Sequence, residues 1–419
     1  MRRVNLETLL YRPSMPFSKE TQRELSQSAM MLPQEKLQAV GSKKKDLFIG
    51  IPKEISLQEN RVALVPEAVQ LLVNNGHRVV LETGAGSASN FSDNEYSEAG
   101  AQIAYSTKEV YEADLIFKVE PLSTEEMEYL KPKQVIISAM QLNVQPKDYI
   151  KNLMAKRVTA IAWDYISDGD GILPIVRSMG EIAGNTSILI ASEYLNNQKG
   201  QGIMFGGITG VPPTQVVIIG AGTVGEYAAR AALGLGADVR VFDNSISKLR
   251  RLQMSVGHRV YTSTIQPKVM RKALKRADVA IGAIHSFSGR TPCIVSEEMV
   301  EEMKPGSVIV DVSIDQGGCF ETSRVTSHAN PVYKTHDVLH YCVPNIASLV
   351  SRTASHALSN VMAPMAIQTA DEGGIENMIR NYTGIQNGVY LYNGVLTNQY
   401  LGESLGIPFK DLKLLLAAF

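Results

Sequence analysis

From Asp46 onward, short apolar runs alternate with stretches whose apolar residues recur every three or four positions. LFIGIPK, RVVLETG, DLIFKVEP, KQVIISAM and TAIAWDYI are each too short for a stable helix and rich in Val and Ile, so they are predicted as buried strands. Between the first two, Pro66 to Gly76 sets Val69, Leu72 and Val73 on one helical face, and Ser106 to Ala113 forms a short helix before the third. Such alternation builds a parallel sheet covered by helices on both faces. Ser178 to Leu195 and Arg352 to Ala370 are two much longer helical runs, the second rich in Ala, Met and small residues. A second strand and helix series lies between them. This arrangement predicts one domain inserted into another: an extension over 1–46, a first α/β part over 47–175, the inserted domain over 176–351, and a return over 352–419 that completes the first domain. The cleft between the two domains is the expected ligand site.

The inserted domain carries the most specific segment of the chain, TQVVIIGAGTVGEYAARAALGLGADVRVFDN from Thr214 to Asn244. Val216 to Ile219 is a continuous apolar run, as expected of a buried parallel strand. Gly220, Gly222 and Gly225 follow at G-x-G-x-x-G spacing: the first allows the tight turn, the second lets backbone approach a pyrophosphate, and the third lets the helix pack close to the strand. The helix that opens there aims free N–H groups and the positive end of its dipole at the phosphates. Ala228, Ala229, Ala231 and Ala232 keep it slim. A second strand, Asp238 to Phe242, ends at Asp243, whose carboxylate suits the ribose hydroxyls of NAD and repels the 2′-phosphate of NADP; Lys248 lies near. The predicted fold class is therefore α/β, with two Rossmann-like doubly wound parallel-sheet domains, the NAD domain inserted into the substrate domain.

Composition narrows the partners. The formal net charge is −1, from 41 basic and 42 acidic residues, which offers neither a nucleic-acid surface nor a polybasic membrane patch. The longest apolar stretches are interrupted well short of a membrane span. Cys293, Cys319 and Cys342 are too scattered for a disulfide framework or a metal site, so no metal is expected and a reducing, cytoplasmic setting is. The opening MRRVNLETLLYRPSMPF lacks the apolar core of a secretory signal, and Glu7, Glu20 and Glu24 argue against a mitochondrial presequence. Ser18 to Val40 is polar and broken by Pro33; a loose docking helix and a partly ordered extension both fit it.

Three strand ends carry candidate chemistry. VIVDVSIDQGG places Asp315 where a strand gives way to a Gly-rich turn, a position from which a carboxylate can face a nicotinamide and transfer protons. Asp311, inside the same strand, is expected to be structural. Arg61, in the loop after the first strand, offers a bidentate fork to a substrate carboxylate. Lys118, in FKVEP, needs a partner or a ligand within its apolar surroundings. An ion pair with Glu120, on the same strand face by alternation, and substrate binding are the two readings. His285, His336 and His340 are read as structural.

From about Leu47 to its end the chain resembles alanine dehydrogenase, in the group that also contains the NAD-binding subunit of proton-translocating transhydrogenase. The matching segments are IGIPKEISLQENRVALVPEAV, GHRVVLETGAG, GGITGVPPTQVVIIGAGTVG, MKPGSVIVDVSIDQGGCFETS and HYCVPNIASLVSRTAS. The resemblance implies reversible oxidative deamination of L-alanine, or a related small amino acid, to pyruvate and ammonia with NAD. It implies that Arg61 holds the substrate carboxylate, that Asp315 assists proton transfer, and that Asn345 lies near cofactor and substrate. Gly220, Gly222, Thr223, Val224 and Gly225 match the pyrophosphate loop and Asp243 the ribose Asp. A symmetric homo-oligomer is implied as well, and the small-residue helix from Arg352 suits close packing on a copy of itself. The sequence departs from the family at Gln141, where a general acid/base His is usual, at KVEP, one residue shorter than KVKEP, and at Gly180, often Ser. Gln hydrogen-bonds but does not exchange a proton near neutral pH. Lys118 then stands in for the missing second Lys. The alternatives are the NAD-binding alpha subunit of a transhydrogenase, against which the segment IVRSMGEIAG speaks, and a non-catalytic NAD-binding protein.

Overall fold

The computed structural model describes residues 44–56, 58–139, 145–196, 198, 200–286 and 290–417. Gln141 and the extension before residue 44 lie outside them. The apolar runs form strands β1 (Phe48–Ile51), β2 (Arg78–Glu82), β3 (Gln102–Ala104), β4 (Leu115–Phe117), β5 (Val135–Ser138) and β6 (Thr159–Ala162). All pair in parallel, in the order β3-β2-β1-β4-β5-β6. The second series is β7 (Gln215–Ile219), β8 (Asp238–Phe242), β9 (Tyr261–Ser263), β10 (Val279–Gly282), β11 (Val308–Asp311), β12 (Val332–Thr335) and β13 (Val338–Tyr341). It repeats the same order, β9-β8-β7-β10-β11-β13, with β12 antiparallel on the edge. The chain then returns to the first sheet: β14 (Val389–Tyr392) pairs antiparallel with β6, and β15 (Val395–Leu396) follows it.

The strand order reverses between β1 and β4 in one sheet and between β7 and β10 in the other. Loops leaving such neighbours go to opposite faces and open a crevice at the carboxyl ends of the strands. β4, β5 and β6 are buried along their whole length, as are β10 and β11, because helices cover both faces.

Two long helices join the sheets, α1 (Pro174–Asn196) and α2 (Ser351–Asp371). A side chain at Gly184 of α1 would put its Cβ 2.5 Å from the carbonyl oxygen of Val224, so glycine there sets the close approach of α1 to the nucleotide-loop helix. The small residues of α2 are used within this chain. Ala354, Ser355, Leu358, Ser359, Met362, Ala363 and Ala366 are buried. Ser355 Oγ accepts the Val62 N–H at 2.9 Å and Ser359 Oγ the Val65 N–H at 2.8 Å. Just ahead of α2, Ser348 Oγ accepts the Asn60 N–H at 2.8 Å. These hydroxyls fix the loop that carries Arg61, so the buried stripe of α2 offers no free face to a second copy.

Candidate active site

The loop after β7 is built by steric necessity. Gly220 has φ +114°, and a Cβ there would lie 2.3 Å from the Ala283 carbonyl oxygen. A Cβ at Gly225 would lie 1.9 Å from the Gly220 oxygen. Gly222 differs: its φ is −72°, and a Cβ there meets nothing within 4 Å. Its lack of a side chain leaves open space in front of the loop. Helix α3 (Thr223–Gly234; it lies between α1 and α2 in the chain) starts there with Thr223 and Val224, and among the described residues no side chain caps its first N–H groups. Those donors are left for an anion. Asp243 is buried at the end of β8, its two oxygens accepting the Ala221 and Ser245 N–H groups, each at 2.7 Å. Lys248 stands half-buried in the first turn of the following helix, Ile246–Val256. Burial, and then the Lys248 charge, lower the pKa of His285.

The end of β11 turns into a short 3-10 helix, Val312–Gln316. Asp311 caps it and is buried, accepting from Ser313 N at 3.1 Å, Cys319 N at 2.9 Å and Ser323 Oγ at 2.7 Å. Asp315 projects from the turn and is exposed. One oxygen accepts the Asn345 N–H at 2.8 Å. Desolvation by the protein around it raises its pKa, while the Asn345 bond and the Arg61 charge pull it down. The carboxyl is ringed by protein but open to solvent, which moderates that desolvation.

Asn345 has a left-handed backbone, φ 56°, and spans the two domains: its Nδ2 donates to Glu59 Oε2 at 2.7 Å. Glu59 is buried and takes a fork from Arg61, Nε to Oε1 at 2.7 Å and Nη2 to Oε2 at 2.6 Å. Burial, the largest single influence, opposes ionisation of Glu59, but the Arg61 charge and the hydrogen bonds Glu59 receives together outweigh it and hold its pKa below the ordinary value. Among the described residues, Arg61 Nη1 is hydrogen-bonded to the thioether of Met179, at 3.3 Å. Asp315, Asn345, Glu59 and Arg61 thus form one continuous chain of contacts across the cleft.

Two family models match the chain, the alanine dehydrogenase/PNT N-terminal domain over residues 50–183 and its C-terminal domain over 187–399. The chain belongs to the alanine dehydrogenase/PNT family. Alanine dehydrogenase of Bacillus subtilis (strain 168) is 41% identical over 365 residues, 87% of this chain and 96% of that protein. Alanine dehydrogenase of Methanococcus maripaludis is 41% identical over 367 residues, 87% of this chain and 98% of that protein. A solved L-alanine dehydrogenase superposes with TM-score 0.81 at 36% identity, covering 85% of this chain and 99% of that one. A transhydrogenase from Sinorhizobium meliloti shares the fold, with TM-score 0.73 at 23% identity over 84% of this chain and 99% of that one.

Within this alanine dehydrogenase/PNT fold, Lys118 sits differently from the sequence expectation. β4 ends at Phe117, and the Lys118 ammonium pairs with Glu54 at 2.5 Å and Glu126 at 3.4 Å, not with Glu120. It is 1% exposed and held between those two carboxylates. Glu54 in turn accepts the Val119 N–H at 2.6 Å, so Lys118 anchors the loop after β4. Arg61, Asn345 and Asp315 come together; Gln141 lies outside the described residues. His340 is buried, stacks on Tyr333 and bonds Thr322 Oγ1 at 2.8 Å; burial foremost lowers its pKa to about 4. His336 pairs with Glu297. Sequence reasoning passed over Glu54 and Glu59, and named Glu120 only as a partner for Lys118. The signal of the first two was present: two carboxylates in the loop that follows the first apolar strand, where an unpaired charge close to the core is unfavourable. Among the described residues no group of His, Cys, Asp and Glu is arranged to hold a metal, and no helix is long and apolar enough to cross a membrane.

Proposed function

We propose that this protein is an NAD-dependent amino-acid dehydrogenase that interconverts L-alanine, or a related small amino acid, with its 2-oxo acid and ammonia. The observation that carries this reading is the contact chain from Arg61 through Glu59 and Asn345 to Asp315. It joins Arg61 and Asp315, which in this reading are the carboxylate-binding cation and the proton-transfer group. The cofactor fits the residues present: open space before Gly222 and uncapped N–H groups of α3 suit a pyrophosphate, and Asp243 suits a ribose. Held by these groups, NAD would supply hydride-accepting and hydride-donating chemistry at the substrate Cα.

The chain's own groups do the rest. Arg61 Nη1 exchanges a weak thioether acceptor for the substrate carboxylate, a charge-assisted contact. Asn345 ties that wall to Asp315, which accepts and returns the proton of the reacting amine or water. The decisive test follows NADH absorbance with ammonia and a panel of 2-oxo acids. Pyruvate or a close homologue is consumed fastest. Binding of NADH with no turnover of any member would sink this reading and leave a non-catalytic binding protein.

Asp243 makes NADH the preferred form. Fluorescence titration gives NADH binding at least about tenfold tighter than NADPH, roughly 1.4 kcal/mol. Asp243→Asn narrows the gap; equal affinities in the wild type would refute the assignment. Gly222→Ala separates folding from binding. Its backbone tolerates a side chain and nothing crowds the new methyl, so the melting temperature stays put. The methyl occupies the space a pyrophosphate needs, so NADH affinity falls. An unchanged affinity would place the phosphates elsewhere.

The three cysteines are free, which suits a cytoplasmic protein. Homo-oligomer formation rests on kinship with the family; light scattering that gives a monomer at micromolar concentration refutes it.

A further inference from the structure

Arg251, on the helix Ile246–Val256, reaches the glycine loop. Its Nη2 donates to the Ala221 carbonyl oxygen at 3.2 Å, and its Nε faces Glu226 Oε2 at 3.5 Å. Glu226 is buried in the first turn of α3 and meets a second guanidinium, with Arg230 Nη2 at 2.9 Å from Oε1. Arg230 also donates to the Ser255 carbonyl at 3.2 Å, which ties α3 to the helix that carries Arg251. The Ala221–Gly222 peptide is trans, so its oxygen and its N–H point in opposite directions. Turning the oxygen to Arg251 turns the Gly222 N–H the other way, and among the described residues that N–H has no acceptor. The preceding N–H, that of Ala221, is held by Asp243 Oδ2 at 2.7 Å. Ala221 is thus fixed on both sides, by Asp243 and by Arg251. Gly222 imposes little of its own on the backbone, so without Arg251 the peptide between Ala221 and Gly222 turns more freely.

We propose that Arg251 is a positioning residue for the cofactor: it holds the Ala221 carbonyl so that the Gly222 N–H joins the uncapped N–H groups of α3 as a donor to the pyrophosphate. The proposal rests on the reading that this loop binds NAD, and it gives Arg251 an indirect role, exercised through the backbone. Arg251 also helps to balance the Glu226 carboxylate, a negative charge in the same turn that receives the phosphates. Orientation and charge are separable contributions. Arg230 already pairs with Glu226, whereas the Ala221 oxygen takes its hydrogen bond from Arg251. Orientation is therefore the larger part. Much of the Arg251 side chain lies in solvent, so its loss removes little core packing.

The test compares ligands with and without a pyrophosphate. NADH is titrated by its fluorescence, and ADP-ribose and adenosine are measured as its competitors. Arg251→Met keeps the stem of the side chain and removes its donors. NADH and ADP-ribose then bind about tenfold more weakly, the order of one lost hydrogen bond to a charged group, while adenosine and the melting temperature hold. The KM for NADH rises by the same factor and kcat is kept. Arg251→Lys, with one ammonium for the carbonyl, recovers part of the affinity. Adding Glu226→Gln to Arg251→Met removes the unbalanced carboxylate, and binding of NADH and ADP-ribose stays weak. Full recovery in that double variant would reduce Arg251 to a counter-charge and overturn the proposal. Unchanged NADH affinity in Arg251→Met, or an equal loss for adenosine, overturns it too. A wild type that binds NADH without turnover sinks the dehydrogenase reading, yet the three affinities still decide the role of Arg251. A wild type that binds no NADH sinks both.

Discussion

Asp315→Asn leaves NADH binding intact and lowers turnover by about 10²–10⁴-fold, the usual loss for one proton-transfer group. Asn keeps the size of the side chain and an oxygen for the Asn345 N–H, so the turn over Val312–Gln316 and the bridge to Glu59 survive. Only the capacity to carry a proton goes. The surrounding protein raises the Asp315 pKa above the ordinary Asp value, with Asn345 and Arg61 limiting the rise. As a base, Asp315 works ionised. Deamination therefore falls as pH drops through that raised value, and the acidic limb disappears in Asp315→Asn. Rate profiles and NADH titrations of the two proteins decide the matter; full activity in the variant would remove Asp315 from the mechanism.

Lys118→Met destabilises the fold by about 3–5 kcal/mol, the range for removing one partner of a buried ion pair. The substitution leaves Glu54 and Glu126 facing each other without the ammonium that now pairs with both. Neither can reach water easily, since both side chains are nearly inaccessible. Urea denaturation reads the loss directly. Adding Glu54→Gln to the variant recovers part of it, because an amide still accepts the Val119 N–H and no longer carries the charge. The opposite result, unchanged stability with a raised KM for the 2-oxo acid, would return Lys118 to the substrate.

Local patterns announced the fold well because each depends on neighbours in sequence. Apolar runs in β1, β5 and β10 and the glycine spacing after β7 read as strands and as a phosphate loop from a few adjacent residues. The antiparallel edge strand β12 was not anticipated. Its residues, Val332–Thr335, are half-buried or exposed and lack the continuous apolar run of a central strand. The site was legible only in part. Arg61 and Asp315 were named from their strand ends and Asn345 through kinship, but what joins them is Glu59. Lys118 went to the wrong partner for the same reason. Period-2 alternation proposed Glu120, two residues away, whereas the ion pair closes over 64 positions between Glu54 and Lys118. Charge pairing across strands follows the tertiary fold, and no local rule contains it.

The serines that hold the Arg61 loop have a consequence for how the protein is made. Asn60, Val62 and Val65 donate to Ser348, Ser355 and Ser359, which the ribosome adds almost 300 residues later. At about 5–20 residues per second that interval is roughly 15–60 s. The glycine loop, Gly220 to Gly225, emerges partway through that interval, while the Arg61 segment still lacks the hydroxyls that lock its N–H groups. A nascent chain thus acquires its nucleotide site before its carboxylate site, and the second closes only when α2 has emerged.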